Sequence, residues 1–106
     1  MLLFEGVESA FNVWVNGYFA GFSQNSFAPS EFNITQYLKP GNNVLCCQVY
    51  RFSAGSYLED QDMWRLGGIF RNVTLVSRPE VAIFDFQVKT LLDSDYRDSE
   101  LKVLVK

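Results

Sequence analysis

The strongest constraint on the fold is an alternating run of residues that ends at an Asn-Gly pair. Residues 10–16 place apolar side chains at every second position, with Phe11, Val13 and Val15 on one face and Asn12, Trp14 and Asn16 on the other. Because successive side chains of a strand point to opposite faces, this run predicts a β-strand with one buried face. Asn16-Gly17 is the preferred dipeptide of a two-residue hairpin turn, so residues 18–22 are predicted to return as the antiparallel strand.

The remainder of the chain also favours β structure. Strands are predicted at residues 44–52, as a central strand, and at residues 69–77, 81–91 and 100–105, with a loop over residues 24–30 and a turn over residues 39–42. Residues 31–38 are ambiguous and favour a strand end followed by a short helical turn. The sequence contains no internal repeat, low-complexity tract or amphipathic helix, so the predicted class is all-β.

A domain boundary is predicted at Pro79. Proline cannot donate a hydrogen bond to a strand ladder, and it pushes the preceding Arg78 toward extended geometry. The two strands predicted after it form a hairpin, which is marginally stable in water by itself. This tail therefore needs a partner to pack on, and the chain divides into residues 1–78 and residues 79–106.

Composition excludes several classes of function. Nine basic and twelve acidic residues give a net charge of −3 without a basic patch, so no nucleic-acid partner is expected. No apolar run reaches the ~20 residues of a membrane span, so no membrane partner is expected either. The absence of histidine excludes a Ser-His-Asp triad, a Cys–His dyad and a histidine-ligated metal. Cys46 and Cys47 are adjacent, which predicts opposite faces of a strand and two reduced thiols, and the sequence assigns them no role.

The segment 55–70 carries the side chains that most suggest a binding site. Three carboxylates are followed at once by an aromatic and a cationic residue: Glu59, Asp60 and Asp62, then Trp64 and Arg65. Loops that mix acid, aromatic and cation on a rigid scaffold often carry binding groups. The structural alternative is a solvated acidic loop in which Arg65 closes an ion pair, and chemistry alone slightly favours that alternative.

The same segment resembles a known family. Ser56-Tyr57-Leu58-Glu59-Asp60-Gln61-Asp62-Met63-Trp64-Arg65, followed by Gly68-Ile69-Phe70-Arg71, is similar to the end of the N-terminal sugar-binding domain of glycoside hydrolase family 2 β-galactosidases. Upstream, Phe4-Glu5-Gly6-Val7, Trp14-Val15-Asn16-Gly17 and Pro29-Ser30-Glu31-Phe32 continue the similarity. The resemblance covers roughly the first three quarters of the chain, in order and at family-like spacing.

The resemblance implies a fold and a parent enzyme. Residues 1–78 would be part of a jelly-roll, galactose-binding-like β-sandwich, and residues 79–106 the first hairpin of a following immunoglobulin-like β-sandwich. The parent would be a cytoplasmic β-galactosidase, expected to be a homo-oligomer, that hydrolyses terminal non-reducing β-D-galactose, as in lactose, with retention. Both catalytic glutamates would lie outside this chain, which would contribute scaffold and one wall of the active site next to its remaining domains.

The resemblance also implies roles in the acidic loop. Asp62 would bind a sodium ion, shared with residues outside this chain, and help to hold the 6-hydroxyl of galactose. A carboxylate suits both tasks, because it is a hard oxygen ligand and accepts hydrogen bonds from hydroxyls. Glu59, Asp60, Trp64 and Arg65 would support the loop. Some members of the family also bind magnesium, but Ala54 stands where an acidic residue often occurs, which argues against that site here.

Two other functional classes remain as alternatives. One is a free-standing carbohydrate-binding module, which needs several exposed aromatic rings on one face; Trp14 is instead expected to be covered by a neighbouring domain, and Trp64 to pack against the acidic loop. The other is a segment of a β-glucuronidase or β-mannosidase, which share the sandwich. The acidic run from Glu59 to Asp62 favours the galactosidase branch by resemblance. The Asp-rich segment 93–98 lacks the glycine and closing glutamate of a calcium loop and is predicted to be a polar turn.

Overall fold

The computed structural model describes residues 1–59 and 62–106, and its regular elements are ten short strands and two 3₁₀ helices. The strands are β1 (Leu2–Phe4), β2 (Val7–Glu8), β3 (Ala10–Val15), β4 (Tyr18–Ser23), β5 (Ser30–Phe32), β6 (Leu45–Tyr50), β7 (Gly68–Ile69), β8 (Val73–Leu75), β9 (Phe86–Leu92) and β10 (Ser99–Val105). The helices are Thr35–Tyr37 and Ala54–Tyr57. The all-β prediction is confirmed. No helix within these described ranges is long and apolar enough to cross a membrane.

The predicted hairpin forms between β3 and β4. Asn16 and Gly17 have φ angles of 53° and 87°, the left-handed values that a tight hairpin turn requires. The Asn16 side chain also donates from Nδ2 to the carbonyl of Tyr37 at 2.8 Å and accepts from the amide of Val44 at 2.9 Å. The hairpin tip is therefore tied both to the first helical turn and to the segment that enters β6.

Two three-stranded sheets pack face to face. Their strand orders are β4-β3-β6 and β5-β1-β8. The core lies between them and consists of Leu2, Phe4, Val7, Phe11, Val13, Val15, Phe32 and Ile34. The ring centroids of Phe4 on β1 and Phe11 on β3 are 4.7 Å apart. The ring centroid of Phe32 on β5 lies 6.0 Å from that of Phe4 and 5.8 Å from that of Phe11. The result is a β-sandwich whose centre is aromatic.

Gly21 on β4 marks a close approach between the sheets. A Cβ atom at this position would lie 2.5 Å from the Cδ1 and Cε1 atoms of Phe32. Real side chains do not pack at that distance, so the ring of Phe32 occupies space that glycine leaves open. The absence of a side chain at Gly21 is therefore part of the core.

Three strand predictions need correction. Residues 44–52 were expected to form a central strand, but β6 pairs only with β3 among the described residues, and β3 is the middle strand. The strand expected over residues 69–77 is divided into β7 and β8, because β7 pairs with β2 whereas β8 pairs with β1. The strand expected over residues 81–91 begins only at Phe86, since its partner β10 ends at Val105.

The β9–β10 hairpin lies at the end of the chain and is exposed on both faces. Its register places one row of mostly apolar side chains together: Phe86, Val88, Thr90, Leu92, Leu101, Val103 and Val105. The opposite face carries the ion pair between Lys102 and Glu100, at 3.4 Å. The division into residues 1–78 and 79–106 stays a prediction.

The two cysteines on β6 differ in environment. Cys46 is exposed, whereas Cys47 is half-buried against the core, on the opposite face of the strand, and both are free thiols. Burial raises the pKa of the Cys47 thiol, and the neighbouring Cys46 raises it further. Cys47 therefore carries less thiolate at a given pH than an ordinary exposed cysteine.

We expect iodoacetamide at pH 8 to alkylate Cys46 before Cys47, because the reactive species is the thiolate and Cys47 is both protected and held protonated. The single variants Cys46→Ser and Cys47→Ser each leave one thiol, whose alkylation rate is read by mass spectrometry. The rates in urea, where both thiols are accessible, serve as the reference. If the two variants are alkylated at equal rates both in urea and in the folded protein, the burial of Cys47 is contradicted.

We expect Gly21→Ala to lower the free energy of unfolding by about 1–3 kcal/mol, because it overpacks the ring of Phe32. Urea unfolding followed by tryptophan fluorescence measures the change. Replacement of the Phe32 ring gives the control. The double variant Gly21→Ala, Phe32→Leu should lose less free energy of unfolding than the sum of the losses in the two single variants. Strict additivity would mean that the two side chains do not compete for the same space.

Candidate functional site

The stem of the acidic loop is a short helix fixed at its first turn. Ser53 precedes the helix Ala54–Tyr57, and its amide donates to Oγ of Ser56 at 3.0 Å. The buried Ser9 donates from its hydroxyl to Oγ of Ser53 at 3.1 Å, which joins the helix to the sandwich. At the other end, the amide of Glu59 donates to the carbonyl of Gly55 at 2.9 Å. The Ser-x-x-Ser spacing thus gives the chain a helical turn directly before Glu59.

Glu59 is held by Ser26. The amide of Ser26 donates to Oε1 of Glu59 at 3.1 Å, and its hydroxyl donates to Oε2 at 2.5 Å. Ser26 is fully buried, with 0% exposure. Hydrogen bonds to a carboxylate are charge-assisted and roughly twice as strong as neutral ones. One serine therefore satisfies both oxygens of the acid that begins the loop.

A second contact closes the loop from Glu59 to Arg65. Nη2 of Arg65 donates to the backbone carbonyl of Glu59 at 3.0 Å. Two residues further on, the amide of Gly67 donates to Oε2 of Glu8 at 2.9 Å and returns the chain to the sandwich. Both ends of this segment are consequently fixed, and Asp62 lies midway between them. Asp60, expected to support the loop, lies outside the described residues.

Asp62 is exposed and lies in an open depression that it shares with Met63, Trp64 and Arg65. No hydrogen bond or ion pair to the Asp62 carboxylate is found among the residues that the structure describes. Asp62 therefore presents its oxygens to solvent, where a hydroxyl or a cation has access to them.

Trp64 lies open to solvent. Its side chain is 87% exposed, so it does not pack closely against the described residues, and its expected support of the acidic loop stays a prediction. Trp14, in contrast, is partly buried and lies 5.7 Å from the ring of Phe19 on the neighbouring strand. The residues that flank Trp64 are held through polar contacts, by Arg65 to the carbonyl of Glu59 and by Gly67 to the carboxylate of Glu8.

The space beneath the loop is nearly filled. A cavity of about 10 Å³ is lined by Glu8, Ser9, Phe27, Ser56, Glu59, Met63 and Arg65. That volume corresponds to about one water molecule. A sugar ring has no room there, so a ligand of this loop meets it on the outer side, which carries Asp62.

A metal ion would find an incomplete set of ligands. Among the described residues, no group of three or more Cys, Asp or Glu side chains is placed to hold a metal. Asp62 supplies one hard oxygen ligand, which suits sodium, and Ala54 supplies no oxygen from its side chain for magnesium. A cation at Asp62 therefore requires further ligands from outside this set.

The structure identifies two residues that sequence reasoning missed. Ser26 was assigned only to a polar loop, and its contact with Glu59 joins positions 33 residues apart. Arg71 donates from Nη1 to the carbonyl of Phe27 at 3.1 Å and lies over the ring of Phe70 at 5.4 Å. No local signal distinguishes either residue, because the hydrogen bonds of Ser26 and Arg71 join segments that are far apart in the sequence.

Comparisons with known proteins bear on the same region. Residues 1–79 match the family described as "Glycosyl hydrolases family 2, sugar binding domain". The chain is 57% identical over 100 residues to the β-galactosidase of Priestia megaterium, covering 94% of this chain and 10% of that protein. It is 50% identical over 102 residues to the β-galactosidase of Klebsiella pneumoniae, covering 96% of this chain and 10% of that protein. The chain thus spans about a tenth of the length of these relatives.

A solved structure shows the same fold. The β-D-glucuronidase of Dictyoglomus thermophilum superimposes with a TM-score of 0.73, covering 99% of this chain and 22% of that chain, at 19% sequence identity. A likeness at this level of sequence identity shows the fold alone. The superposition supports a β-sandwich for this chain.

We expect Glu59→Ala to lower the free energy of unfolding by about 1–3 kcal/mol, because the buried Ser26 loses the acceptor for its hydroxyl and amide. Glu31→Ala serves as the matched control, since Glu31 is exposed on β5, and should change stability by no more than about 0.5 kcal/mol. Hydrogen exchange at the Ser26 amide should accelerate only in Glu59→Ala. Unchanged exchange would show that the contact does not restrain the loop.

Proposed function

The chain belongs to glycosyl hydrolases family 2 through its sugar-binding domain, and on that premise we propose that it is a non-catalytic segment of a β-galactosidase. The support is the 48–57% identity to eight relatives that carry that name, each over almost the whole of this chain. The whole enzyme would hydrolyse terminal non-reducing β-D-galactose with retention. This segment would supply scaffold and the loop that carries Asp62.

The catalytic carboxyl groups would lie elsewhere in the enzyme. Retaining glycosidases use two carboxyl groups about 5 Å apart, one as nucleophile and one as acid/base. Glu59 is unsuited to either role, because Ser26 occupies both of its oxygens. Among the described acids of the loop, Asp62 is then the one that remains available to a ligand, and one aspartate cannot provide both functions.

The observation that carries the proposed role of Asp62 is its exposed carboxylate, which has no partner within residues 1–59 and 62–106 and lies midway between the anchored Glu59 and Arg65. The carboxylate would accept a hydrogen bond from the 6-hydroxyl of galactose and serve as one ligand of a sodium ion. Sodium would supply a fixed positive charge beside that hydroxyl, with its other ligands provided by the remaining domains. Glu59, Trp64 and Arg65 would keep the loop in place or contact those domains.

The remaining domains of the enzyme are the proposed partners of this segment. The exposed Trp64 and the exposed apolar row of the β9–β10 hairpin are the surfaces that we expect them to cover. A homo-oligomeric state, a cytoplasmic location and an immunoglobulin-like second domain stay predictions.

The test replaces the matching segment of the Priestia megaterium β-galactosidase with this chain. The hybrid should hydrolyse o-nitrophenyl β-D-galactoside, and Asp62→Asn should lower its kcat/KM by about 10–100-fold, the loss of one hydrogen bond to a charged group. Asp95→Asn, in the exposed turn between β9 and β10, is the matched control and should leave the rate unchanged.

Two results would contradict this proposal. A hybrid that folds but is inactive would mean that the chain does not belong in a galactosidase. Galactose binding by the isolated chain, with an affinity that Asp62→Asn abolishes, would favour a free-standing carbohydrate-binding module. We expect the isolated chain neither to hydrolyse galactosides nor to bind galactose, because the other half of the site lies outside it.

A further inference from the structure

We propose that Ser26 is a positioning residue for Asp62, acting through Glu59. The inference rests on the proposed function, in which Asp62 contacts the substrate. It assigns a specific task to a buried serine 36 positions away in the sequence, which itself touches no ligand. Three structural features support this role: the contact between Ser26 and Glu59, the closure of the loop that follows, and the independent fixation of Ser26.

The contact with Glu59 is short and protected from solvent. The hydroxyl of Ser26 lies 2.5 Å from Oε2 of Glu59 and its amide lies 3.1 Å from Oε1. Two donors from one residue fix both the position and the orientation of the carboxylate plane. Because Ser26 has 0% exposure, bulk solvent does not reach its hydroxyl or its amide.

The loop transmits this constraint to Asp62. Glu59 is also the residue whose carbonyl accepts the hydrogen bond from Arg65, at 3.0 Å. Its side chain therefore anchors the loop to the sandwich, and its backbone closes the loop. Asp62 lies three residues from each of these two anchored positions, so a shift of Glu59 displaces one of the two anchors that set the place of Asp62.

The segment that carries Ser26 is fixed without help from the acidic loop. Oδ1 of Asn25 accepts from the amides of Phe27 and Ala28, at 3.3 Å and 3.2 Å, which shapes the turn after Ser26. Arg71 donates to the carbonyl of Phe27 at 3.1 Å, and the Phe27 ring lies 5.6 Å from that of Phe70. Ser26 is thus a fixed point, and Glu59 is the group that it positions.

The contact between the two segments extends beyond this pair. A Cβ atom placed on the buried Gly55 would lie 3.1 Å from the carbonyl oxygen of Gln24. The helical turn before Glu59 therefore lies directly against the chain before Ser26. The backbones meet at Gly55, and the side-chain contact of Ser26 then sets the direction in which the loop leaves.

Loss of the Ser26 hydroxyl should lower the fraction of molecules in which Asp62 is correctly placed. An apparent dissociation constant rises in inverse proportion to the competent fraction, so a tenfold loss of that fraction raises KM about tenfold. The step that breaks the glycosidic bond uses groups outside this chain, and kcat should change by less than about twofold. A purely structural defect would instead reduce the amount of active enzyme, which lowers kcat without this change in KM.

The experiment uses the active hybrid enzyme and two substrates, o-nitrophenyl β-D-galactoside and its 6-deoxy analogue, o-nitrophenyl β-D-fucoside. Ser26→Ala should raise KM for the galactoside about tenfold and leave KM for the fucoside nearly unchanged, because the fucoside has no 6-hydroxyl for Asp62 to hold. Ser26→Cys retains a weak donor of similar size, so its KM for the galactoside should lie between that of the unaltered hybrid and that of Ser26→Ala. Ser30→Ala is the matched control: it removes the 2.7 Å contact with Ser23 at the far end of the same loop and should affect neither substrate.

The outcomes separate this inference from the proposal on which it rests. Asp62→Asn should discriminate between the two substrates in the same way as Ser26→Ala. If Asp62→Asn discriminates and Ser26→Ala does not, the positioning role of Ser26 is wrong while the role of Asp62 stands. If Asp62→Asn affects both substrates equally, or neither, both proposals fail. Equal losses on both substrates for Ser26→Ala would show a structural role only.

Discussion

The contact among Phe4, Phe11 and Phe32 determines how the two sheets meet, and the site depends on that arrangement. The three rings belong to three strands in both sheets, so they set the separation and the relative position of the sheets. The edge-to-face geometry of Phe32 against the other two rings is one that aromatic side chains prefer. The space for the Phe32 ring exists because position 21 is glycine. The buried Ser9, which contacts the short helix, is the residue directly before β3. The strand β5 begins where the segment that carries Ser26 ends.

The scaffold of the acidic loop is polar, whereas the scaffold of the sandwich is apolar. Ser9, Ser53 and Ser56 connect the short helix to the sandwich, and Ser26 connects Glu59 to the adjacent segment. Polar contacts are directional, so they define an orientation more sharply than apolar packing does, but they lose more when one partner is removed. Such a scaffold anchors both sides of an exposed loop without burying it. The outward-facing side chains, among them Asp62 and Trp64, remain free to contact a ligand or another domain.

The parts of the structure that sequence patterns predicted are those set by local rules. The alternation over residues 10–16 and the Asn16-Gly17 pair predicted β3, the turn and β4, because a buried strand face and a left-handed turn each require particular residue types. The division between β7 and β8 was not predictable, since it arises from pairing with two different strands near the start of the chain. In the candidate site, the sequence identified the acidic loop, but it did not identify Ser26. A buried serine with an acceptor 33 residues away has the same local sequence signature as any serine in a polar loop.

The β9–β10 hairpin has a consequence for handling the chain in solution. It presents an apolar row and two strand edges whose backbone groups have no partner among the described residues. Strand edges of this kind are templates for pairing with another chain, and natural proteins usually cover or charge them. The ion pair on the opposite face leaves the apolar row unprotected. This ribbon should therefore contribute to self-association of the chain at high concentration, even where the sandwich itself stays folded.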